Sequence, residues 1–397
     1  NVLSEPFPVA VGVKQGCVLA PILFNLFLAA INIITHNIIN GYKGVEVEYR
    51  LDGNLFNLRR LQAHTKTTVS DITELQYADD LVLLANTPED LQNGLNLLTT
   101  AYNSMGLKVN INKTEIVIQN NNNLEDINHN RPPFHIDTEE IKVVEDFPYL
   151  GSILSSSCSI EAEINARINK ASAAYGRLNQ RVFNNHNLKV TTRAAVYRAV
   201  CVSTLLYGAE TWTLYMRHIR KLEAFHMQCL RRITGLRWQD HVPYDSIYER
   251  TNTTSITSML AKRQLKWVGH VIRMSDERLP RQILYGQLHQ GNRPPGGQKK
   301  RYKDQCKDLL KQCQLQPTAL ETLANDRVRW RRTVYEGAKL IESKLSTKRT
   351  DNRTKRAQRA EGVPVGNQHL PCPTCGKICG SRIGLHSHLQ WHQRRGR

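Results

Sequence analysis

Glu74-Leu75-Gln76-Tyr77-Ala78-Asp79-Asp80-Leu81-Val82-Leu83-Leu84-Ala85 sets two adjacent carboxylates between two apolar runs. Leu75 and Tyr77 alternate with polar neighbours, and Leu81 to Leu84 form a short apolar stretch. The pattern predicts strand, turn, strand, with Asp79 and Asp80 at the tip. Neighbouring carboxylates repel, and beside a buried strand they cost stability; a divalent cation relieves both penalties. Phosphoryl-transfer enzymes use such clusters to hold two Mg²⁺ ions about 3.5 to 4 Å apart. A polar turn without a ligand is the other reading of Asp-Asp.

Working outward, Pro21 to Ile39 repeats apolar residues at helical spacing and is predicted to be a buried amphipathic helix, since Pro21, Asn25, Asn32 and His36 interrupt any membrane span. Pro88 to Met105 is helical, with Leu91, Leu95, Leu98 and Tyr102 along one face. Val109 to Asn112 alternates as a strand does, Gln119 to Pro133 is an Asn-rich loop, and Val143 to Leu154 is a strand pair. From Ser159 the period turns helical: Ala162 to Val182, Val190 to Tyr207, Tyr215 to Thr234 (ended by Gly235) and Met259 to Met274. Gly291 to Gly297 and Gly362 to Pro371 are linkers. Between them lie a basic helical region to about Lys344 and a charged, partly disordered tail to Ala360.

Charge divides the chain unevenly. Of a net +19, residues 1–160 hold 10 Lys/Arg against 18 Asp/Glu, and residues 161–397 hold 44 against 17. A half with +27 calls for a polyanionic partner, and nucleic acid bound through phosphate contacts fits best. A 22% charged content excludes an integral membrane protein, and no leader suggests secretion, so a nuclear or cytoplasmic place is expected. The first methionine is Met105, which points to the C-terminal part of a longer reading frame. Nine scattered cysteines, three of them within Cys372 to Cys379, imply reduced thiols and one metal site.

More blocks flank the hairpin. Gly12-Val13-Lys14-Gln15-Gly16-Cys17-Val18-Leu19-Ala20-Pro21, then Leu23-Phe24-Asn25-Leu26-Phe27, precede it. Gly106-Leu107-Lys108-Val109-Asn110-Ile111-Asn112-Lys113-Thr114 and Phe147-Pro148-Tyr149-Leu150-Gly151-Ser152 follow. In this order they resemble successive blocks of a reverse transcriptase of the non-long-terminal-repeat (LINE-like) retrotransposon class. Leu205 to Trp212 and Leu265 to Met274 resemble the helical region beyond the palm in these elements, with Trp267 and His270 as packing residues.

The resemblance implies an α+β fold: a partial right-hand polymerase palm (1–156), a helical thumb-like region (157–290), a basic connector and tail (291–361) and a zinc finger (368–397). It makes Asp79 and Asp80 the catalytic ligands of Mg²⁺ or Mn²⁺, with Tyr77 and Ala78 completing the motif. Gln15 and Gly16 would position template and nucleotide: glycine allows close backbone approach, and Gln15 offers a donor and an acceptor. Gly16 could equally open a helix. Lys113 would sit on the pyrophosphate side. Phe147, Tyr149 and Gly151 belong to the hairpin that grips the primer end; the other reading makes Phe147 and Tyr149 plain core aromatics. Partners would be an RNA template, a DNA primer or target, and deoxynucleotides. The family's third aspartate, upstream of the Gly12 block, is absent; Asp52 in Leu51-Asp52-Gly53-Asn54 does not stand in for it. The chain is therefore expected to be inactive alone, and the endonuclease of such elements is absent from it.

Cys372-x2-Cys375-x12-His388-x3-His392 has the ligand spacing of a Zn²⁺ finger, with Leu385 in the core position, Cys379 in place of the usual phenylalanine and His386 as a rival ligand. The run Lys348 to Arg359 before it reads as part of a nucleic-acid clamp, a nuclear-import signal around Thr354-Lys355-Arg356, or a solvated tail. A non-catalytic nucleic-acid-binding protein from a truncated element is the rival reading. A zinc-finger regulator with a degenerate palm is a third.

Overall fold

The structure, a computed structural model, describes residues 16–38, 41–119, 133–290, 300–361, 370–379 and 382–395. It divides into two units, Asn1–Ile341 and Glu342–Arg397. The expected loop (all but Gln119 and Pro133), the first linker, most of the second, and Gln15 lie outside the described residues.

In the first unit, Val45–Tyr49 is the centre of an antiparallel sheet between Thr68–Ile72 and Gly286–Leu288. The last strand arrives from about 240 residues downstream. Arg60 fastens this junction. Its buried guanidinium donates to the Asp52 carbonyl at 2.8 Å and the Tyr285 carbonyl at 2.9 Å, and lies over the Tyr285 ring. Carbonyl dipoles compensate a cation that burial would otherwise penalise. Glu321 adds a second link, accepting from the Leu55 backbone at 2.6 Å and the Asn54 amide at 3.2 Å.

Helix Pro88–Ser104 starts where Thr87 accepts from the Asp90 N–H, a side-chain cap followed by Pro at the first turn. Its Leu95 packs with Ile116, Phe134, Ile136 and Ile141, and Leu83 of the carboxylate hairpin leans on the same cluster. The expected strand at Val109 to Asn112 is instead a loop running into a 3₁₀ turn, Ile111–Lys113. The Asn110 carbonyl accepts the Lys113 N–H at 3.1 Å and the Thr114 hydroxyl at 2.9 Å, so local bonds replace a ladder. Helix Ala20–Ile38 forms as expected but is not buried. Leu28 and Ile31 face inward, whereas Ile22, Leu26 and Ile33 are exposed, because the helix is apolar on more than one face and only one is covered.

The larger core is helical. Glu161–Leu178, Val190–Tyr197, Met216–Thr234, Tyr244–Thr251 and Ile256–Ile272 surround Tyr175, Phe183, Tyr197, Leu205 and Leu222. Tyr175 stacks on Phe183 at 4.2 Å, and Tyr197 meets both rings edge-on. Two π-helical turns, Asn179–Phe183 and Arg198–Val202, interrupt the expected continuous helices. The irregular segment around Trp212 is satisfied by two buried amides: Gln264 donates to the Ala209 and Trp212 carbonyls, and Gln305 accepts from the Leu214 N–H at 2.7 Å. That accounting lets a non-helical backbone pass through a core.

Helix Arg327–Glu361 carries the tail residues, so the described tail is helical and not disordered; Arg, Lys, Ala and Glu are helix formers even without an apolar face. In the second unit, the strand pair Leu370–Pro371 and Ile378–Cys379 is followed by helix Arg382–Arg395. No helix among the described residues is long and apolar enough to cross a membrane.

Candidate functional site

Glu74–Tyr77 and Asp80–Leu83 pair antiparallel with Tyr77 opposite Asp80, leaving Ala78 and Asp79 as the two-residue turn. Ala78 has φ +52°, an uncommon backbone for a side chain with a Cβ. The strained turn thrusts Asp79 and Asp80 into solvent, with Tyr77 exposed beside them. The Tyr42 hydroxyl donates to the Leu84 carbonyl, and the Leu84 N–H donates to the Thr73 carbonyl at 2.8 Å; both anchor the hairpin base.

A second hairpin meets the first. Asp146–Tyr149 pairs with Ser152–Ser155 through Leu150 (φ +46°) and Gly151 (φ +81°), two left-handed residues as a type I′ turn requires. Its Tyr149 hydroxyl donates to the Leu75 carbonyl at 3.4 Å. Burial and then the Asp80 carboxylate push the Tyr149 phenol above its ordinary pKa. Phe147 stacks with Tyr149 at 6.3 Å, and both are half-buried, neither core nor free.

The turn is held from behind by Glu163 and Arg167, which the motifs did not single out, and by Tyr207 of the Leu205 to Trp212 block. Glu163 accepts the Ile153 N–H at 2.8 Å and pairs with Arg167 at 2.6 Å, both nearly inaccessible to solvent. Arg167 also donates to the Gly151 carbonyl and to Ser152 Oγ, and lies 4.5 Å over the Tyr207 ring. Tyr207 donates its hydroxyl to the Leu150 carbonyl at 3.1 Å. Glu163 and Arg167 are spaced i,i+4 on one helix, a pattern visible in sequence, but nothing there marks it as buried.

Other expected site residues stand apart. Gly16 (φ +87°) is exposed before helix Ala20–Ile38. Lys113 is exposed on its 3₁₀ turn, and among the described residues no hydrogen bond or ion pair joins it to Asp79 or Asp80. Asp52 is committed to Arg50, and Asp71, the other described aspartate ahead of the hairpin, accepts the Gly44 N–H at 3.0 Å. His270, expected to pack, is exposed against the half-buried Trp267.

In the second unit, ligand atoms of Cys372, Cys375, His388 and His392 lie within 4.8 Å of one another. Cys375 Sγ is 3.1 Å from His388 Nε2 and 3.2 Å from His392 Nε2, and the two imidazole nitrogens are 3.2 Å apart. Bonds of about 2.0 Å to nitrogen and about 2.3 Å to sulfur at a tetrahedral ion give separations of roughly 3.3 to 3.8 Å, so the donor set is compatible with zinc. Desolvation pulls the Cys372 thiol upward, but the backbone N–H groups of Thr374 and Cys375 outweigh it and its pKa falls. Desolvation, then His392 and Lys377, lower the His388 pKa. Thiolate and neutral imidazole are the metal-binding forms. Cys379 is buried and His386 exposed; neither joins the four.

Residues 1–154 match the family model described as "Reverse transcriptase (RNA-dependent DNA polymerase)". That span takes in the first hairpin, the second but for Ser155, and every palm block from Gly12 to Ser152. The chain is also similar to an uncharacterized transposon-derived protein of Caenorhabditis elegans, 26% identical over 212 residues, covering 52% of this chain and 74% of that protein. The first match supports a reverse transcriptase-like domain over residues 1–154, and the second a likeness to a transposon-derived protein.

Proposed function

We propose that the chain is part of a retrotransposon RNA-directed DNA polymerase of the non-long-terminal-repeat class, with Asp79 and Asp80 at its chemical centre and a zinc finger at Cys372, Cys375, His388 and His392. The supporting observation is the juncture of the two hairpins through Tyr149 and Leu75, which sets an aromatic turn against the carboxylate tip. Mg²⁺ or Mn²⁺, when bound, would neutralise the charge developing at the transferred phosphoryl group and activate the primer hydroxyl. Asp79 and Asp80 would supply its anionic oxygens from an exposed, backbone-fixed turn. Phe147, Tyr149 and Gly151 would orient the primer end, and Gln15 and Gly16 the template and nucleotide; positioning of this kind accounts for most of the rate in phosphoryl transfer. Lys113 would screen the departing pyrophosphate.

Among the described residues no third Asp, Glu, His or Cys closes on the two aspartates. We accordingly assign the isolated chain no polymerase activity: primer extension on poly(rA)/oligo(dT) with Mg²⁺ should be absent. Extension that disappears in Asp79→Ala would overturn the inactivity while supporting the site. The site itself is tested by Mn²⁺ electron paramagnetic resonance with primer–template and nucleotide present. Mn²⁺ should be held by the chain and released in Asp79→Asn/Asp80→Asn; equal binding by both would overturn the assignment.

A further inference from the structure

In the first unit, helix Ile256–Ile272 packs antiparallel to the part of helix Arg327–Glu361 that ends at Ile341: Trp330 Nε1 donates to the Leu265 carbonyl at 3.1 Å, and Ser258 Oγ to the Ala338 carbonyl at 2.9 Å. Gly269 makes the close approach possible, since a Cβ there would fall 2.0 Å from Trp330 Nε1. Over the seam stands Tyr335, 50% exposed. Lys262 Nζ lies 5.3 Å from its ring centroid and Lys339 Nζ 4.6 Å. One turn along each helix, in the same direction, come Lys266 and Arg331, both exposed.

None of these four cations has a carboxylate within ion-pair distance among the described residues; nearby, Arg332 has Glu336. Two ammonium groups sharing one ring repel each other, and a folded protein relieves such a cluster with an anion. An exposed aromatic among unpaired cations is the pattern that single-stranded nucleic acids recognise: phosphates take the cations, and an unstacked base takes the ring. We propose that Lys262, Tyr335 and Lys339, extended by Lys266 and Arg331, form a binding site for single-stranded nucleic acid. Duplex fits less well, because its bases are stacked on one another and present no face to Tyr335. The inference deepens the partner class given above but does not depend on chemistry at Asp79, so the two fail separately.

The test is fluorescence anisotropy of the full chain with a labelled 20-nucleotide oligo(U), titrated between 50 and 200 mM salt. Lys262→Gln/Lys339→Gln should bind about tenfold more weakly, and its log–log salt slope should fall by about 1.4, the release from two single-strand phosphates. Tyr335→Leu should weaken binding roughly fivefold or more while leaving the slope unchanged, since stacking carries no counterion. Lys189→Gln/Lys307→Gln removes the same charge from exposed positions elsewhere, and it should change binding less than twofold. Equal weakening by both lysine pairs would mean diffuse attraction to a basic protein and would overturn the site. So would an unaltered Tyr335→Leu, or competition by polyglutamate or blunt duplex RNA as effective as that by unlabelled oligo(U). All substitutions are on the surface, and an unshifted thermal midpoint shows that each variant is folded.

Discussion

The Tyr149 hydroxyl donates to the Leu75 carbonyl across 3.4 Å, and this bond joins two hairpins whose sequences lie 74 residues apart. The bond is long and exposed, so its contribution is at the low end for a neutral pair, about 0.5 kcal/mol. Tyr149→Phe should therefore leave global stability almost unchanged. Amide exchange at Leu81 and Val82 should quicken severalfold as the carboxylate hairpin loosens. Unchanged exchange there would show that Leu83 packing and the bonds at the hairpin base fix the hairpin without Tyr149.

Arg167 is worth far more. Its removal leaves Glu163 buried and unpaired and strips donors from the Gly151 carbonyl and Ser152. Arg167→Ala should destabilise the first unit by about 3 kcal/mol, read from the urea midpoint. Glu163→Leu/Arg167→Met should recover most of that loss, because two apolar side chains leave no orphaned charge. A loss under about 1 kcal/mol for Arg167→Ala would show the pair to be solvated.

His226 gives stability a pH dependence. It is enclosed between Tyr197, whose hydroxyl donates to Nδ1 at 2.9 Å, and the Thr254 carbonyl, which accepts from Nε2 at 3.2 Å. Burial lowers its pKa to about 4. The folded value lies below the unfolded one of about 6.5, so the unfolded state binds more protons between them and stability rises with pH across that window. Full stability holds above about pH 6.5, and on the order of 3 kcal/mol is lost by pH 4. Urea midpoints at pH 7, 5.5 and 4.5 should show the decline, and His226→Phe should flatten it.

Zinc binding at the second unit should give one equivalent of metal per chain by elemental analysis. Treatment with EDTA should remove it, and exchange protection in helix Arg382–Arg395 should vanish with it while the first unit keeps its own. Cys375→Ser should lower the affinity by orders of magnitude, since Cys375 lies within 3.2 Å of both histidine ligands. His386→Ala should change nothing; loss of zinc in that variant would place His386 among the ligands.

Sequence pattern captured what is local. The carboxylate hairpin could be read because strand alternation and a turn signal fall within twelve residues, and the helix ending at Gly235 because glycine takes a φ of +72° there. Val109 to Asn112 misled because alternation promises a strand only if a partner arrives, and Asn110 found bonds closer by. The charged run after Lys344 looked partly disordered, yet helix propensity carries it as a continuous helix. At Ala20–Ile38 periodicity gave the helix but not its cover, since an apolar stripe does not say which face meets a neighbour. In the candidate site, Asp79, Asp80 and the Cys372, Cys375, His388 and His392 cluster were visible as motifs, whereas the Tyr149–Leu75 bond and the buried Glu163–Arg167 clamp depend on segments that only tertiary structure brings together.

The pairing of Val45–Tyr49 with Gly286–Leu288 has a consequence for how the protein is made. A ribosome that has just released Ile72 from its tunnel has exposed a strand pair whose Val45–Tyr49 edge is still open, and that edge waits for about 215 residues of further translation before its partner emerges. At roughly 5 to 20 residues per second the wait lasts about ten seconds or more. During that time an unpaired strand edge is open to other nascent chains on the same message. Val47 and Tyr49, which end up opposite Leu288 and Gly286, lie on the edge that stays open until then.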